Sequence, residues 1–276
     1  MADMDLDTTL AALAADPHHP VDLAELSFHL AADEYPDLDI PTYLARLDLL
    51  ADALRPRLHG PLTARTAELA TMLFEDAGFA GNADDYYDPR NSYLCDVLDR
   101  KLGIPITLSV LAVAVGVRAG LDVAGVGLPG HFVAKVTDGE ACVVFDPFNG
   151  GQFLDAAACE QLVSAVTGQP FELTDEMLEA TPPGAVAARM LNNLKGAYLR
   201  KSDFARAARV IGRLIQLLPG DPVQRRDLGV ALVHAGKPGR AIDHLQAYLD
   251  LVPDAADAEE VRTFLSDAKS AVARWN

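Results

Sequence analysis

A repeat with a period of 34 residues occupies the C-terminal third of this 276-residue chain. The residue pairs that recur at this spacing are Leu194 and Leu228, Ala197 and Ala231, Arg206 and Arg240, Ala207 and Ala241, Leu217 and Leu251, and Pro219 and Pro253. Such a period is typical of stacked helical hairpins, in which small residues permit close helix contacts. It predicts two antiparallel helix pairs between about residues 184 and 253, followed by a helix from Asp257 to about Trp275.

The period and the placing of its small residues resemble the tetratricopeptide repeat. Gly229 stands where that motif has a small residue, whereas Lys195 departs from the motif at the equivalent position of the first unit. The alternative is an unrelated pair of helical hairpins. The resemblance implies an all-α module that binds a protein or peptide partner.

The first part of the chain has a helical pattern. Apolar residues recur at helical spacing from Leu6 to about Gly78, and prolines divide this segment into three or four helices. Asn91 or Ser92 is placed to cap a further helix that runs to Lys101. Proline suits the first turn of a helix, so the next helix is predicted from Pro105 to just before Gly120.

A β-hairpin follows these helices. Its strands are predicted from His131 to Val136 and from Ala141 to Asp146, with Asp138 and Gly139 as a two-residue turn. In that register His131 directly faces Asp146, and direct cross-strand partners have Cβ atoms about 5 Å apart. A longer turn would shift the register. The hairpin therefore predicts an imidazole hydrogen-bonded to a carboxylate.

The charge balance excludes several classes of partner. Aspartate and glutamate total 40 against 23 lysines and arginines, which gives a net charge of −17. We therefore expect no binding to nucleic acid or to an anionic membrane, and a neutral or basic partner instead. Three cysteines and an acidic N-terminus predict a cytoplasmic protein without a secretory signal. The adjacent His18 and His19 lack the spacing of common metal sites, so we expect neither a metal nor another cofactor.

A His–Asp pair is half of an acyl-transfer triad, and the missing half is a nucleophile. Cys142 lies four residues from Asp146, about 13 Å along the strand, and is too far from His131 for proton exchange. Cys159 falls in an alanine-rich helix, where packing is the expected role. Cys95 lies one turn into its helix among leucines. It is either a buried small hydrophobe or a thiolate favoured by the helix N-terminus.

Several segments resemble a known family: Glu34-Tyr35-Pro36-Asp37-Leu38, Asp88-Pro89-Arg90-Asn91-Ser92-Tyr93-Leu94, Gly103-Ile104-Pro105-Ile106-Thr107-Leu108-Ser109-Val110, Gly127-Leu128-Pro129-Gly130-His131-Phe132 and Asp146-Pro147-Phe148-Asn149-Gly150-Gly151. They are similar to the SirB-type family of transglutaminase-like proteins, and the resemblance extends over nearly the whole chain. It implies an α+β fold, with a helical N-terminal part and a papain-related core containing a small antiparallel sheet, followed by an all-α tetratricopeptide-like module. We therefore divide the chain into a transglutaminase-like domain with a helical N-terminal extension, residues 1–182, and a helical repeat module, residues 183–276.

The resemblance also implies a site. His131 and Asp146 match the strand positions of the superfamily's catalytic histidine and aspartate. Counting back from Gly120 places Pro105 where the superfamily has its nucleophilic cysteine, and proline has neither a nucleophile nor a backbone N–H. Thr107 and Ser109 are hydroxyl positions typical of the SirB-type pattern. At position 95 that pattern usually has asparagine, and this chain has a cysteine.

Three interpretations follow. The first is a degenerate, non-catalytic domain, or pseudoenzyme, that binds a ligand or peptide around His131 and a protein partner through its repeats. The second is an acyl-transfer or hydrolytic enzyme that uses Thr107, Ser109 or Cys95 with His131 and Asp146. The third is a purely structural His–Asp pair. The sequence leaves the substrate, the partner and the oligomeric state open.

Overall fold

The structure is a computed structural model that describes residues 4–274. Within these residues the chain packs as two units. The first comprises the residues up to Leu6 together with His18–Met190, and the second comprises Asp7–Pro17 and the residues from Leu191 onward.

The described residues form α-helices and short strands, in keeping with the α+β class that the sequence predicts. The helices are α1 (Leu6–Ala15), α2 (Leu23–Ala32), α3 (Ile40–Leu54), α4 (Leu62–Ala70), α5 (Leu94–Arg100), α6 (Pro105–Ala119), α7 (Ala156–Thr167), α8 (Pro183–Arg200), α9 (Phe204–Leu217), α10 (Pro222–His234), α11 (Pro238–Leu251) and α12 (Ala258–Ala273). The strands are β1 (Ala80–Gly81), β2 (Leu102–Gly103), β3 (Asp122–Leu128), β4 (His131–Asp138), β5 (Ala141–Asp146) and β6 (Gln152–Leu154). None of the described helices combines the length and apolarity needed to cross a membrane.

Helix α6 is the centre of the first unit and begins and ends as predicted. Pro105 opens it, and Gly120, at φ +97°, ends it in the left-handed region that favours glycine. Nearly all of its side chains are buried, because it packs on β3, β4 and α3. Gly116 is required here, since a Cβ at this position would lie 2.5 Å from Val123 Cγ2.

The preceding helix is shorter than predicted. Helix α5 begins at Leu94, with Tyr93 rather than Asn91 or Ser92 as its N-cap residue. Its cap at the other end is Lys101, which adopts φ +64°. The Asn91 side chain is unavailable for capping, because it is buried and satisfies main-chain groups of the preceding loop.

The main sheet is an antiparallel meander in the order β3-β4-β5-β6, so the predicted hairpin has a neighbour on each side. Strand β3 is absent from the sequence prediction because two glycines weaken its strand pattern. Packing explains the glycine at position 125, because a Cβ there would lie 2.6 Å from the Phe132 ring. The close approach of this ring to the neighbouring strand explains a glycine in the middle of a strand.

The hairpin register differs from the prediction by two residues. Ala141 pairs with Asp138, and Phe145 pairs with Ala134. The turn therefore lies at Gly139-Glu140 instead of Asp138-Gly139, and β4 runs two residues further than predicted. A shift of two residues keeps every side chain on its predicted face, because the side-chain period of a strand is two.

The repeat unit follows the 34-residue period closely. Helices α9 and α11 are related by 34 residues at both ends, and Ala207 and Ala241 are fully buried at equivalent positions. Gly229 permits close contact between α10 and α11, since a Cβ there would lie 2.5 Å from Leu245 Cδ2. The two predicted helix pairs are confirmed, and the following helix is present as α12; its predicted end at Trp275 lies outside the described residues.

Candidate functional site

The centre of the candidate site is a buried histidine–aspartate pair on β4 and β5. His131 Nε2 lies 2.9 Å from Asp146 Oδ2, and the two side chains are 5% and 1% exposed. The predicted hydrogen bond is therefore present, although the residues are not direct cross-strand partners. Asp146 lies opposite Val133 by extension of the ladder, so the imidazole reaches the carboxylate diagonally on the same sheet face.

The turn after β5 holds the Asp146 carboxylate. Oδ1 accepts a hydrogen bond from the Phe148 N–H at 2.9 Å, and Oδ2 accepts one from Asn149 Nδ2 at 2.7 Å. Burial disfavours the charged carboxylate and by itself would raise the pKa of Asp146. The interaction with His131 and the hydrogen bonds from Asn149 and Phe148 outweigh burial, so the pKa of Asp146 lies below its ordinary value. Asp146 is therefore an ionised, fixed partner for the imidazole at neutral pH.

The two candidate hydroxyls on α6 donate to main-chain carbonyls. Thr107 Oγ1 donates to Asn91 O at 2.8 Å, and Ser109 Oγ donates to Phe132 O at 3.4 Å. Both residues are fully buried. Thr107 thus ties the start of α6 to the loop before α5, and Ser109 contacts the main chain beside His131.

The Cys95 thiol lies in different surroundings from those that activate a thiol. Cys95 is the second residue of α5 and is 3% exposed, so it lies nearer the helix start than predicted. Burial, followed by the nearby negative charge of Asp96, raises the pKa of Cys95 to about 12. Of the other cysteines, Cys159 is buried and Cys142 is exposed on β5.

Asn91, within one of the segments that carry the family resemblance, has a structural role in the loop beside the site. Its Nδ2 donates to Asp85 O at 2.7 Å and to Tyr86 O at 3.2 Å, and its Oδ1 accepts from Asn82 Nδ2 at 3.0 Å. The main-chain carbonyl of Asn91 also accepts the hydrogen bond from the Thr107 hydroxyl. Asn91 therefore fixes the loop that carries Tyr86 and Tyr87.

A line of aromatic rings leads from the surface to His131. Tyr87 is 45% exposed, and its ring centroid lies 5.2 Å from that of Tyr86. The Tyr86 ring meets Phe148 at 6.0 Å, and Phe148 meets the His131 imidazole at 6.1 Å, all in edge-to-face geometry. These rings form a chain of contacts from the exposed Tyr87 to the buried imidazole.

Arg189 fixes the turn that carries His131. Its guanidinium donates to Leu128 O at 3.0 Å and to His131 O at 2.6 Å, and it stacks over the Phe132 ring at 5.3 Å. Burial lowers the pKa of Arg189, which nevertheless starts from a very high value, so the group stays charged. The Arg189 guanidinium therefore places a fixed positive charge beside the site.

Sequence reasoning missed Asn149, Arg189 and the two tyrosines as parts of this site. Asn149 was within reach of prediction, because an asparagine three residues after an aspartate in a turn is well placed for a local hydrogen bond. Arg189 is 58 residues from His131 along the chain, and no local pattern connects the two.

No metal centre is present among residues 4–274: no group of three or more His, Cys, Asp or Glu side chains there is arranged to hold an ion. His18 and His19 are exposed, the first within a turn and the second directly after it.

Comparisons with known proteins show which family this chain belongs to. Residues 41–192 match the model of the transglutaminase-like superfamily, and residues 194–266 match the tetratricopeptide repeat. A UPF0162 protein of Xylella fastidiosa is 35% identical over 264 residues, which is 92% of each chain. The UPF0162 protein of Vibrio cholerae is 26% identical over 72% of this chain and 74% of its own. The UPF0162 protein YchA of Escherichia coli is 24% identical over 85% and 87%, respectively.

No solved structure matches this chain. The likeness to the Xylella protein covers both the His–Asp domain and the repeats, and the two matched family models adjoin along the sequence. The chain therefore belongs to the UPF0162 family of proteins, with a transglutaminase-like domain followed by tetratricopeptide repeats.

Proposed function

We propose that this protein binds ligands without turning them over. In this proposal the transglutaminase-like domain holds a peptide or small molecule beside His131, and the tetratricopeptide repeats, which generally mediate protein–protein interaction, hold a protein partner. The observation that carries the proposal is the state of the three candidate nucleophiles, which are buried and either hydrogen-bonded to the main chain or held as a neutral thiol.

Acyl transfer needs a nucleophile that the imidazole can deprotonate over a hydrogen bond of about 2.6–3.2 Å. The Thr107 hydroxyl points its proton at Asn91 O. Burial raises the pKa of the Cys95 thiol to about 12, so the thiol stays protonated at neutral pH. Pro105, at the start of α6, supplies neither a nucleophile nor an N–H.

The surroundings of His131 support binding. The rings of Tyr87, Tyr86 and Phe148 offer apolar area with little side-chain entropy to lose. Arg189 holds the turn before His131, so the imidazole is presented from a fixed backbone. Because Asp146 is committed to His131 and Asn149, the site combines a fixed imidazole with an aromatic wall.

The second candidate function is acyl transfer or hydrolysis with Ser109 as nucleophile. One contact favours it: Ser109 Oγ donates to the carbonyl of Phe132, the residue after His131, over a long 3.4 Å. A hydroxyl held this weakly is the easiest of the three to redirect toward the imidazole.

An activity screen separates the two candidates. Purified full-length protein is assayed for chromophore release from nitrophenyl esters and aminocoumarin peptide amides, beside His131→Ala and Ser109→Ala. The binding proposal expects all three proteins to match the background rate. Turnover that disappears in His131→Ala would contradict the proposal, and its loss in Ser109→Ala would establish the second candidate.

A binding selection tests the positive claim. A random peptide phage library is selected on the immobilised full chain, and enriched peptides are resynthesised and titrated by calorimetry. We expect a group of peptides whose affinity falls in Tyr86→Ala and not in Asp122→Ala, an exposed substitution on β3. Failure to enrich any peptide over a blank surface would count against a peptide-binding role.

A further inference from the structure

A cavity of about 510 Å³ in the repeat unit has an unusual lining. It lies along α8, α9, α10 and α12, and its volume is typical of ligand sites, which span about 300–1,000 Å³. Its wall carries both aromatic rings and acidic side chains. We propose that this cavity, here called the repeat groove, binds a lysine or arginine side chain of a peptide segment.

The aromatic part of the repeat groove is a cluster of three rings. The His234 imidazole stacks on the Phe204 ring, with centroids 4.6 Å apart and planes at 24°. The Phe264 ring meets the same imidazole in edge-to-face geometry, with centroids 5.7 Å apart. His234 is nevertheless exposed, so the cluster presents ring surface to whatever enters the groove. Beside the imidazole lie the half-buried rings of Phe204 and Phe264, and the face of a phenylalanine ring attracts cations through its quadrupole.

The charged part of the groove favours a cation over an anion. Arg226, the groove's arginine, bonds Asp227 at 2.7 Å and Asp257 at 2.6 Å. It therefore has little capacity left for an acidic ligand. Lys195 adds a second cation to Asp227 from outside the groove wall.

The remaining carboxylate is Glu260. It is exposed on α12, lines the groove, and has no ion pair within the described part of the chain. An incoming ammonium or guanidinium group would meet this free carboxylate at one end and ring surface at the other. An incoming carboxylate would meet the like charge of Glu260 and an Arg226 that is already paired with two aspartates, which disfavours it.

This inference deepens the proposed function, because it names the chemistry of the partner that the repeats would hold. The test uses Nα-acetyl-lysine methylamide and Nα-acetyl-arginine methylamide as probes. Nα-acetyl-norleucine methylamide has a similar aliphatic chain without the charge. The protein carries ¹³C in its seven histidine rings, and His234→Gln assigns the reporting resonance.

We expect the His234 resonance to shift on titration with the lysine and arginine probes and not with the norleucine probe. Glu260→Gln and Phe264→Leu should each weaken this binding by about threefold or more. Glu259→Gln is the matched control, because Glu259 is adjacent on α12, exposed and outside the groove lining.

Three results would overturn the inference: no shift with the cationic probes at tens of millimolar, an equal shift with norleucine, or an affinity unchanged in Glu260→Gln. The outcome is distinguishable from a failure of the proposed function. Phage-selected peptides that bind the full chain independently of Glu260 and Phe264 would refute the repeat groove and leave the binding role intact.

Discussion

Asp146→Ala is the substitution that most directly tests the physical basis of the candidate site. The carboxylate is 1% exposed and accepts hydrogen bonds from His131 Nε2, the Phe148 N–H and Asn149 Nδ2. Asn149 is exposed and can turn to water, whereas His131 stays buried and the Phe148 N–H is partly buried. Each buried group left unpaired costs about 1–3 kcal/mol, so two of them together cost about 4 kcal/mol at the middle of that range.

We therefore expect Asp146→Ala to lower the free energy of opening of the β4–β5 hairpin by about 3–5 kcal/mol. Asp146→Asn keeps one oxygen acceptor for the Phe148 N–H, so its effect should be about 1–2 kcal/mol. At 1.36 kcal/mol for each factor of ten, the alanine variant should accelerate amide exchange in β4 and β5 by roughly 150- to 5,000-fold.

Native-state hydrogen exchange followed by mass spectrometry measures this change peptide by peptide. Asp122→Ala is the matched control, since this aspartate on β3 is exposed, and surface changes of this kind usually stay within about 0.5 kcal/mol. Exchange in β4 and β5 that is equally fast in the wild type, Asp146→Ala and Asp122→Ala would refute the view that the carboxylate supports the site.

Three further predictions concern pH, thiol reactivity and the repeats. The pKa of Asp146 is lower in the folded chain than in the unfolded chain. The stabilisation from its carboxylate is therefore complete above the ordinary aspartate pKa of about 3.9 and is lost as the pH falls through the folded value. Urea titrations should show the stabilities of the wild type and Asp146→Asn converging only in that acidic range. The exposed Cys142 should react first with a disulfide reagent in the native protein, and Cys95 should react only on unfolding, because it is buried and its pKa is about 12. Peptide mapping after a brief labelling pulse measures this order. Early labelling of Cys95 would contradict its assigned environment. Ala207→Phe should overpack a fully buried helix contact and lower repeat-unit stability by about 1–3 kcal/mol in denaturant titrations monitored by exchange, and an unchanged midpoint would count against the assigned contact.

The site was predictable in part because a two-residue error in the hairpin register leaves each side chain on its predicted face of the sheet. The Asp-Gly signal placed the hairpin turn one residue too early, yet His131 and Asp146 still share a face, since a two-residue shift preserves the pleat. The ends of α6 were also predictable from local sequence, because Pro105 begins this helix and Gly120 ends it. Strand β3 was missed, because its Gly125 reflects the Phe132 ring on another strand rather than any local preference.

The sequence by itself determined the helical repeat, the limits of α6 and the common face of the His–Asp pair. All three depend on periodicity or on the backbone preferences of proline and glycine, which act between near neighbours. The tertiary structure alone decided which carbonyls the Thr107 and Ser109 hydroxyls bind and how far burial raises the Cys95 pKa. Hydrogen-bond partners and desolvation depend on groups that packing brings together from distant parts of the chain, and the residue pattern around each position does not encode them.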